Sequence, residues 1–341
     1  MTPVIKRCGF AAHPLRMRGF TLIELMIAML LGLLVVAAAG AIFVSNRQTY
    51  LATESLGRVQ ESARVAFELM ARDLREAGGN PCDRRVEIAS VVDPGMTAWW
   101  ADWGRPGSQP VIGYGSGSTV AGLPSSGGVG EWTGGSDVIE LKSASAGVAV
   151  ESHTAGTAMF AVESADAGLA AGDLAVVCDY THASLFEVSS VAGGTNPTIS
   201  HDISGNNCTR GLGLPVNCDG GTGTIYIYPA NSTVAKVSST RWYVGNNDEG
   251  GTSLFRQTRR SSAAGEASEE VVRGVVGMEL DYLLPGATGY VAASAVPALQ
   301  WNEVVAVRVV LDLEGDDRVG SNGQRIERRL AYVASLRNRT I

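Results

Sequence analysis

One carboxylate stands where membrane physics disfavours it. Glu24 heads the stretch from Leu25 to Val44, twenty residues without a charge. An acid beside such a helix costs up to roughly 2.5–3.5 kcal/mol on insertion, so its retention points to a function. The other chemistry-bearing residues are scattered. The four histidines, His13, His153, His182 and His201, fall in no nucleophile-elbow, zinc-protease or phosphate-loop pattern, and no catalytic residue is assigned. His182 near Asp179 reads as a surface pair. Asp312, Glu314, Asp316 and Asp317 offer oxygen ligands of the kind Ca²⁺ takes, although a solvated hairpin loop accounts for them as well. No cofactor and no metal site is otherwise expected. Trp99, Trp100 and Trp103 form either an exposed anchor for a partner or a small core.

The elements that must position these residues follow from patterning. The chain has 341 residues, 45% hydrophobic and 18% charged, enough for about two structural units with a substantial core. Of its 27 basic residues, Lys6, Arg7, Arg16 and Arg18 lie in residues 1–19, which hold no acid; the remaining 23 face 34 acidic residues, so the rest carries −11. That balance argues against nucleic acid as a partner, because phosphate contact needs clustered cations. Twenty apolar residues span ~30 Å as a helix, the thickness of a hydrocarbon core. The basic leader keeps residues 1–19 cytoplasmic and sends the remainder across. Beyond Val44, Leu56, Val59, Ala63, Ala66, Phe67, Met70, Leu74 and Ala77 recur at helical spacing. Glu54 with Arg58 and Glu68 with Arg72 are candidate ion pairs on the other faces, and Gly78-Gly79-Asn80-Pro81 supplies the stop.

After Pro81 the pattern turns to β. Candidate strands are Val138–Lys142, Leu174–Cys178, Leu185–Val191, Ile225–Tyr228, Arg241–Gly245 and Ser253–Thr258, then Glu270–Val276, Met278–Leu284, Glu303–Leu313 and Arg325–Ser335. Gly315 to Gly323 reads as the loop of a final antiparallel hairpin. The Gly- and Ser-rich stretch Gly113–Ser136 reads as a flexible surface loop, part of an insertion over residues 96–136. The expected fold class is α+β, with a long N-terminal helix and a β-rich head. Residues 20–44 would be its apolar half, 45–77 its amphipathic continuation and 78–341 the head.

Arg18-Gly19-Phe20-Thr21-Leu22-Ile23-Glu24-Leu25 resembles the type IV prepilin cleavage motif. The resemblance implies a pilin-like fold, cleavage after Gly19 by a membrane-embedded prepilin peptidase, and methylation of the new amine of Phe20 by the same enzyme. Glu24 would then meet the Phe20 ammonium of a neighbouring subunit inside a sheath of apolar helices, where screening is weak. Farther on, Ser45-Asn46-Arg47-Gln48-Thr49-Tyr50, Ala71-Arg72-Asp73-Leu74-Arg75, Arg241-Trp242-Tyr243-Val244-Gly245-Asn246, the strand Val304–Leu311 and Ser335-Leu336-Arg337-Asn338-Arg339 look like the PilW-type minor pilins. This implies a minor pilin of the inner membrane, head in the periplasm, that primes and joins a type IV pilus. Its partners would be the major pilin, other minor pilins of the PilV, PilX, FimU and PilE types, and a PilY-type tip adhesin. A minor pseudopilin of a type II secretion system shares this N-terminus and is the near alternative. A membrane-anchored periplasmic enzyme or a tip adhesin module is the alternative of another class.

Five cysteines complete the inventory. Cys8 leaves with the leader, so Cys82, Cys178, Cys208 and Cys218 remain in an oxidising compartment, an even set with three connectivities. Cys208 and Cys218, ten apart in a Gly-rich loop, are the expected local bridge, which pairs Cys82 with Cys178 by elimination. A zinc site of three cysteines with His182 or His201 is the rival, unsupported by any C-x-x-C spacing.

Overall fold

Residues Leu22–Glu76 wind into one α-helix, α1, because nothing between Thr21 and Gly78 breaks the 3.6-residue period. The computed structural model describes residues 19–79, 81–82, 86–93, 95, 98–101, 103, 109–164, 168–218, 220–259, 266–320 and 323–339. The leader through Arg18, with Cys8 and His13, lies outside them, as does part of the 96–136 stretch. The chain divides into two units, Met1–Glu54 and Ser55–Ile341. In the first, every residue of α1 from Leu22 to Tyr50 is exposed, and this stretch is long and apolar enough to cross a membrane.

In the second unit, α1 buries Val59, Ala63, Ala66, Met70, Ala71 and Leu74, the stripe that the spacing marks out. The helix stops where Gly78 takes φ 72°, a left-handed turn that glycine adopts without a Cβ clash. The Gly78 N–H bonds the Lys142 carbonyl at 2.8 Å, and the Asn338 amide reaches the orphan carbonyls of Arg75 and Glu76 at 3.4 and 3.3 Å. On the outer face Arg64 pairs with Glu68 and Arg72 with Glu76. Glu68 therefore points back to Arg64 and does not pair forward with Arg72 as expected.

Among the described residues sixteen strands follow: β1 (Ile88–Ser90), β2 (Val111–Tyr114), β3 (Val138–Ala144), β4 (Val148–Thr154), β5 (Met159–Val162), β6 (Leu174–Cys178), β7 (Ala183–Glu187), β8 (Ser190–Ala192), β9 (Thr198–Ser200), β10 (Thr233–Asn246), β11 (Thr252–Arg259), β12 (Glu266–Arg273), β13 (Val275–Leu283), β14 (Val291–Ala292), β15 (Ala306–Glu314) and β16 (Glu327–Ser335). Twelve join one sheet, ordered β1-β7-β6-β10-β4-β5-β9-β8, with β3 and β11 also on β10, β2 on β3 and β12 on β11. The other four form an antiparallel sheet, β14-β13-β15-β16. The fourteen-residue β10 is the spine of the larger sheet. Its first half pairs β6 and β4, and its second half pairs β3 and β11. The largest core lies between α1, β13, β15 and the end of β10, and includes Met70, Leu74, Trp242, Val244, Leu280, Val309 and Leu311.

Several expected strands change on folding. Leu185–Val191 splits into β7 and β8 because Val188 bonds back to Asp173 while Ser189 turns to Ser200, so the chain changes partner mid-run. Glu270–Val276 breaks at Gly274, whose φ of 75° turns the chain between β12 and β13. Ile225–Tyr228 joins neither sheet: the Tyr228 N–H is taken by the His153 imidazole at 3.1 Å. Gly113–Ser136 is no loose loop, for Val120, Leu123 and Trp132 bury themselves with Val138, Tyr243 and Phe255 in a small core.

Candidate functional site

The first turn of α1 is built from a four-residue pattern, Thr21-x-x-Glu24. The Thr21 N–H and hydroxyl donate to one Glu24 carboxylate oxygen at 3.2 and 3.0 Å, and the Glu24 N–H donates to the Thr21 hydroxyl at 3.3 Å. This reciprocal capping box satisfies helix donors that would otherwise face an apolar medium. It holds the carboxylate near the positive end of the helix dipole. Thr21 escaped the sequence reading, although a Thr three residues before an acid and an apolar run is a legible signature. Two donors on one oxygen leave the other oxygen of Glu24 open to a cation. Gly19 and Phe20 precede the helix and are exposed, Phe20 by 87%. The Gly19–Phe20 peptide bond thus lies outside regular structure.

In the second unit, long polar side chains fasten the motifs to one another. Asp73 accepts the Trp242 indole N–H at 2.9 Å and two bonds from Arg256 at 2.9 and 3.0 Å. Burial pushes its carboxyl up, against the pull of Arg256 and Trp242 downward. Two stretches distant in sequence, Ala71–Arg75 and Arg241–Asn246, are thus one contact. Next to Trp242, the fully buried Arg241 donates to Glu140 from Nε at 3.0 Å, to Gln257 and to the Ala121 carbonyl. Its guanidinium lies 4.3 Å from the centroid of Trp99. Arg259 does the same over Trp100 at 3.4 Å while pairing Glu187 at 2.7 Å. Trp99, Trp100 and Trp103 are therefore a buried minicore with Leu174, Val176 and Leu185, each stacked Arg gaining a cation–π contact, and they offer no exposed patch.

The cysteines meet in two bridges, Cys82–Cys178 and Cys208–Cys218. No thiolate of this set is left for zinc, which removes the three-cysteine alternative. The His182 ring instead stacks on Tyr226 at 3.8 Å, while the backbone N–H of His182 donates to the Asp179 carboxylate at 2.8 Å. Asp312 pairs with Arg329 and Glu314 with Arg325. Among the described residues no group of three or more His, Cys, Asp or Glu side chains converges as metal ligands would.

Comparison with known families adds two matches. Residues 15–40 match the prokaryotic N-terminal methylation motif, and residues 241–334 match type IV pilus-assembly protein W. The first covers the capping box and most of the exposed apolar helix. The second runs from the middle of β10 to the end of β16, taking in Trp242 and Arg256 but not Asp73. No characterised protein and no solved structure matches the chain. Together with the methylation motif, the exposed apolar stretch is a single-pass inner-membrane anchor.

Proposed function

We propose that the chain is a PilW-like type IV pilus minor pilin that takes part in initiating pilus assembly and is then incorporated into the fibre beside other minor pilins. Its role is that of a structural subunit, processed by the prepilin peptidase. Cleavage falls after Gly19, methylation on Phe20, and Glu24 receives the Phe20 ammonium of a neighbour. The observation that carries this reading is the capping box, which fixes a carboxylate on an apolar helix surface with one oxygen free. An ammonium and a carboxylate meeting in an apolar sheath offset each other's desolvation and set the stagger between adjacent helices. The match of residues 241–334 to a pilus-assembly family favours a pilus over a secretion system.

Mass spectrometry of the mature chain tests the processing: the expected terminus is N-methyl-Phe20, whereas an uncut leader or cleavage inside the apolar stretch removes the filament reading. Glu24→Ala should insert into the membrane normally yet enter fibres at a fraction of the wild-type level. Unchanged piliation and partner recovery in that variant would refute the pairing. Deletion should abolish surface fibres, while accumulation of exported enzymes in the periplasm would instead assign the chain to secretion.

A further inference from the structure

Two histidines that no part of the pilin reading uses meet inside the head. His153 on β4 and His201, directly after β9, face each other Nε2 to Nε2 at 3.0 Å. The Nδ1 of His153 accepts the Tyr228 N–H, so its proton sits on Nε2 and is donated to His201. The proton of His201 is then on Nδ1, which has no partner among the described residues. Both basic positions of the pair, Nδ1 of His153 and Nε2 of His201, already accept a hydrogen bond. A further proton has no place to go without breaking one of them.

The surroundings give that proton nothing to lean on. His153 stacks on Phe160 at 4.2 Å, and His201 lies against Phe160 and Phe186. Two charged neighbours of His201, Asp202 and Arg210, neutralise each other at 2.6 Å. Tyr228 gives its hydroxyl to a contact with Ser184 at 2.6 Å, and Tyr226 donates to Asp179, with His182 stacked above. Glu151, on the same strand as His153, is exposed. Burial accordingly pulls His153 down to about 4 and His201 to about 3, the latter also through the neighbouring ring.

What the pair fastens is specific. On one side stands the ribbon β4-β5-β9-β8. On the other stands the segment 208–228, stapled by Cys208–Cys218 and carrying Leu212, Val216, Tyr226 and Tyr228 onto the same core. We infer that His153 and His201 form an acid-operated latch: protonation of His153 at Nδ1 breaks the bond that ties this ribbon to the Tyr228 segment, protonation of His201 at Nε2 breaks the bond between the two rings that closes the ribbon, and the lobe opens while the β13–β16 sheet stays closed. A head carried beyond the inner membrane meets the pH of its surroundings, so the latch would make exposure of the buried Leu212 and Tyr228 respond to acid.

The sign follows from linkage. An opened lobe has ordinary histidines near pH 6.5, whereas the closed lobe binds protons only near 4 and 3. Closure is fully favoured above 6.5 and is lost as pH falls from there toward 4, by up to tenfold in the opening constant per histidine per pH unit. Hydrogen exchange by mass spectrometry on the full chain in detergent, corrected for the intrinsic pH dependence of exchange, reads this. Between pH 6.5 and 5, peptides from 148–162 and 198–228 should open at least tenfold more often relative to peptides from 275–313. His201→Gln keeps a polar side chain without the titration and should flatten that rise by about tenfold per pH unit. Imidazole C2–H exchange in the unaltered chain is the second measurement, expected to show no inflection above 5 for His153 or His201. An inflection above 6 for His201, a pH-independent opening ratio, or equal opening of the β13–β16 sheet would overturn the latch.

Discussion

The two disulfides should differ in worth, and the difference follows from what each one closes. Cys82–Cys178 ties residues 96 apart and Cys208–Cys218 residues 10 apart. If a bridge stabilises by restricting the unfolded chain, the long loop contributes about 4.7 kcal/mol and the short one just under about 3 kcal/mol. Paired Ala substitutions remove each bridge without leaving a lone thiol. Urea unfolding of the full chain in detergent, followed by tryptophan fluorescence, should therefore show C82A/C178A less stable than C208A/C218A by about 2 kcal/mol. The long bridge also anchors the end of β6 beside the Trp99, Trp100 and Trp103 core, which can only widen the gap. Local effects should run the other way, with exchange in 208–228 rising most when the short bridge is lost. Equal losses from the two variants, or a larger loss from C208A/C218A, would refute the loop-entropy reasoning and place the stabilisation in the native contacts.

Two further substitutions test the packing. Glu140→Gln leaves the fully buried Arg241 guanidinium without its counter-charge, and should cost about 3–5 kcal/mol, read as a drop in Tm that Trp99→Leu does not reproduce. Gly113→Ala directs a methyl onto the Tyr282 hydroxyl and the Trp301 ring, a clash expected to cost about 1–3 kcal/mol, whereas Gly115→Ala, with open space around its Cα, should be close to neutral in the same thermal assay.

The helix was legible because its signal is local and repeated: apolar residues every three or four positions, then two glycines and a proline. The late strands were legible for the same reason, with Met278, Leu280 and Tyr282 facing one side of β13. The first half of β10 was not, since Ser, Thr and Lys break its hydrophobic alternation and only pairing with β6 and β4 makes it a strand. Ile225–Tyr228 has the alternation of a strand but its neighbour is a histidine side chain. The tryptophan cluster was undecidable from sequence, because Arg241 and Arg259, the cations that bury it, lie more than a hundred residues downstream. The capping box at Thr21 was readable and passed over. The His153–His201 pair was not, as nothing in either local context announces the other.

Successive residues of β10 send their side chains to different destinations: Val234 to one apolar cluster, Ala235 and Val237 to a second, Trp242 and Val244 to a third, Tyr243 to a fourth. Adding or deleting one residue in that strand would invert all of these assignments together. Length changes that the turns can absorb locally are therefore closed to this one segment, and the four clusters have to vary in sequence around a ruler whose graduations none of them can move.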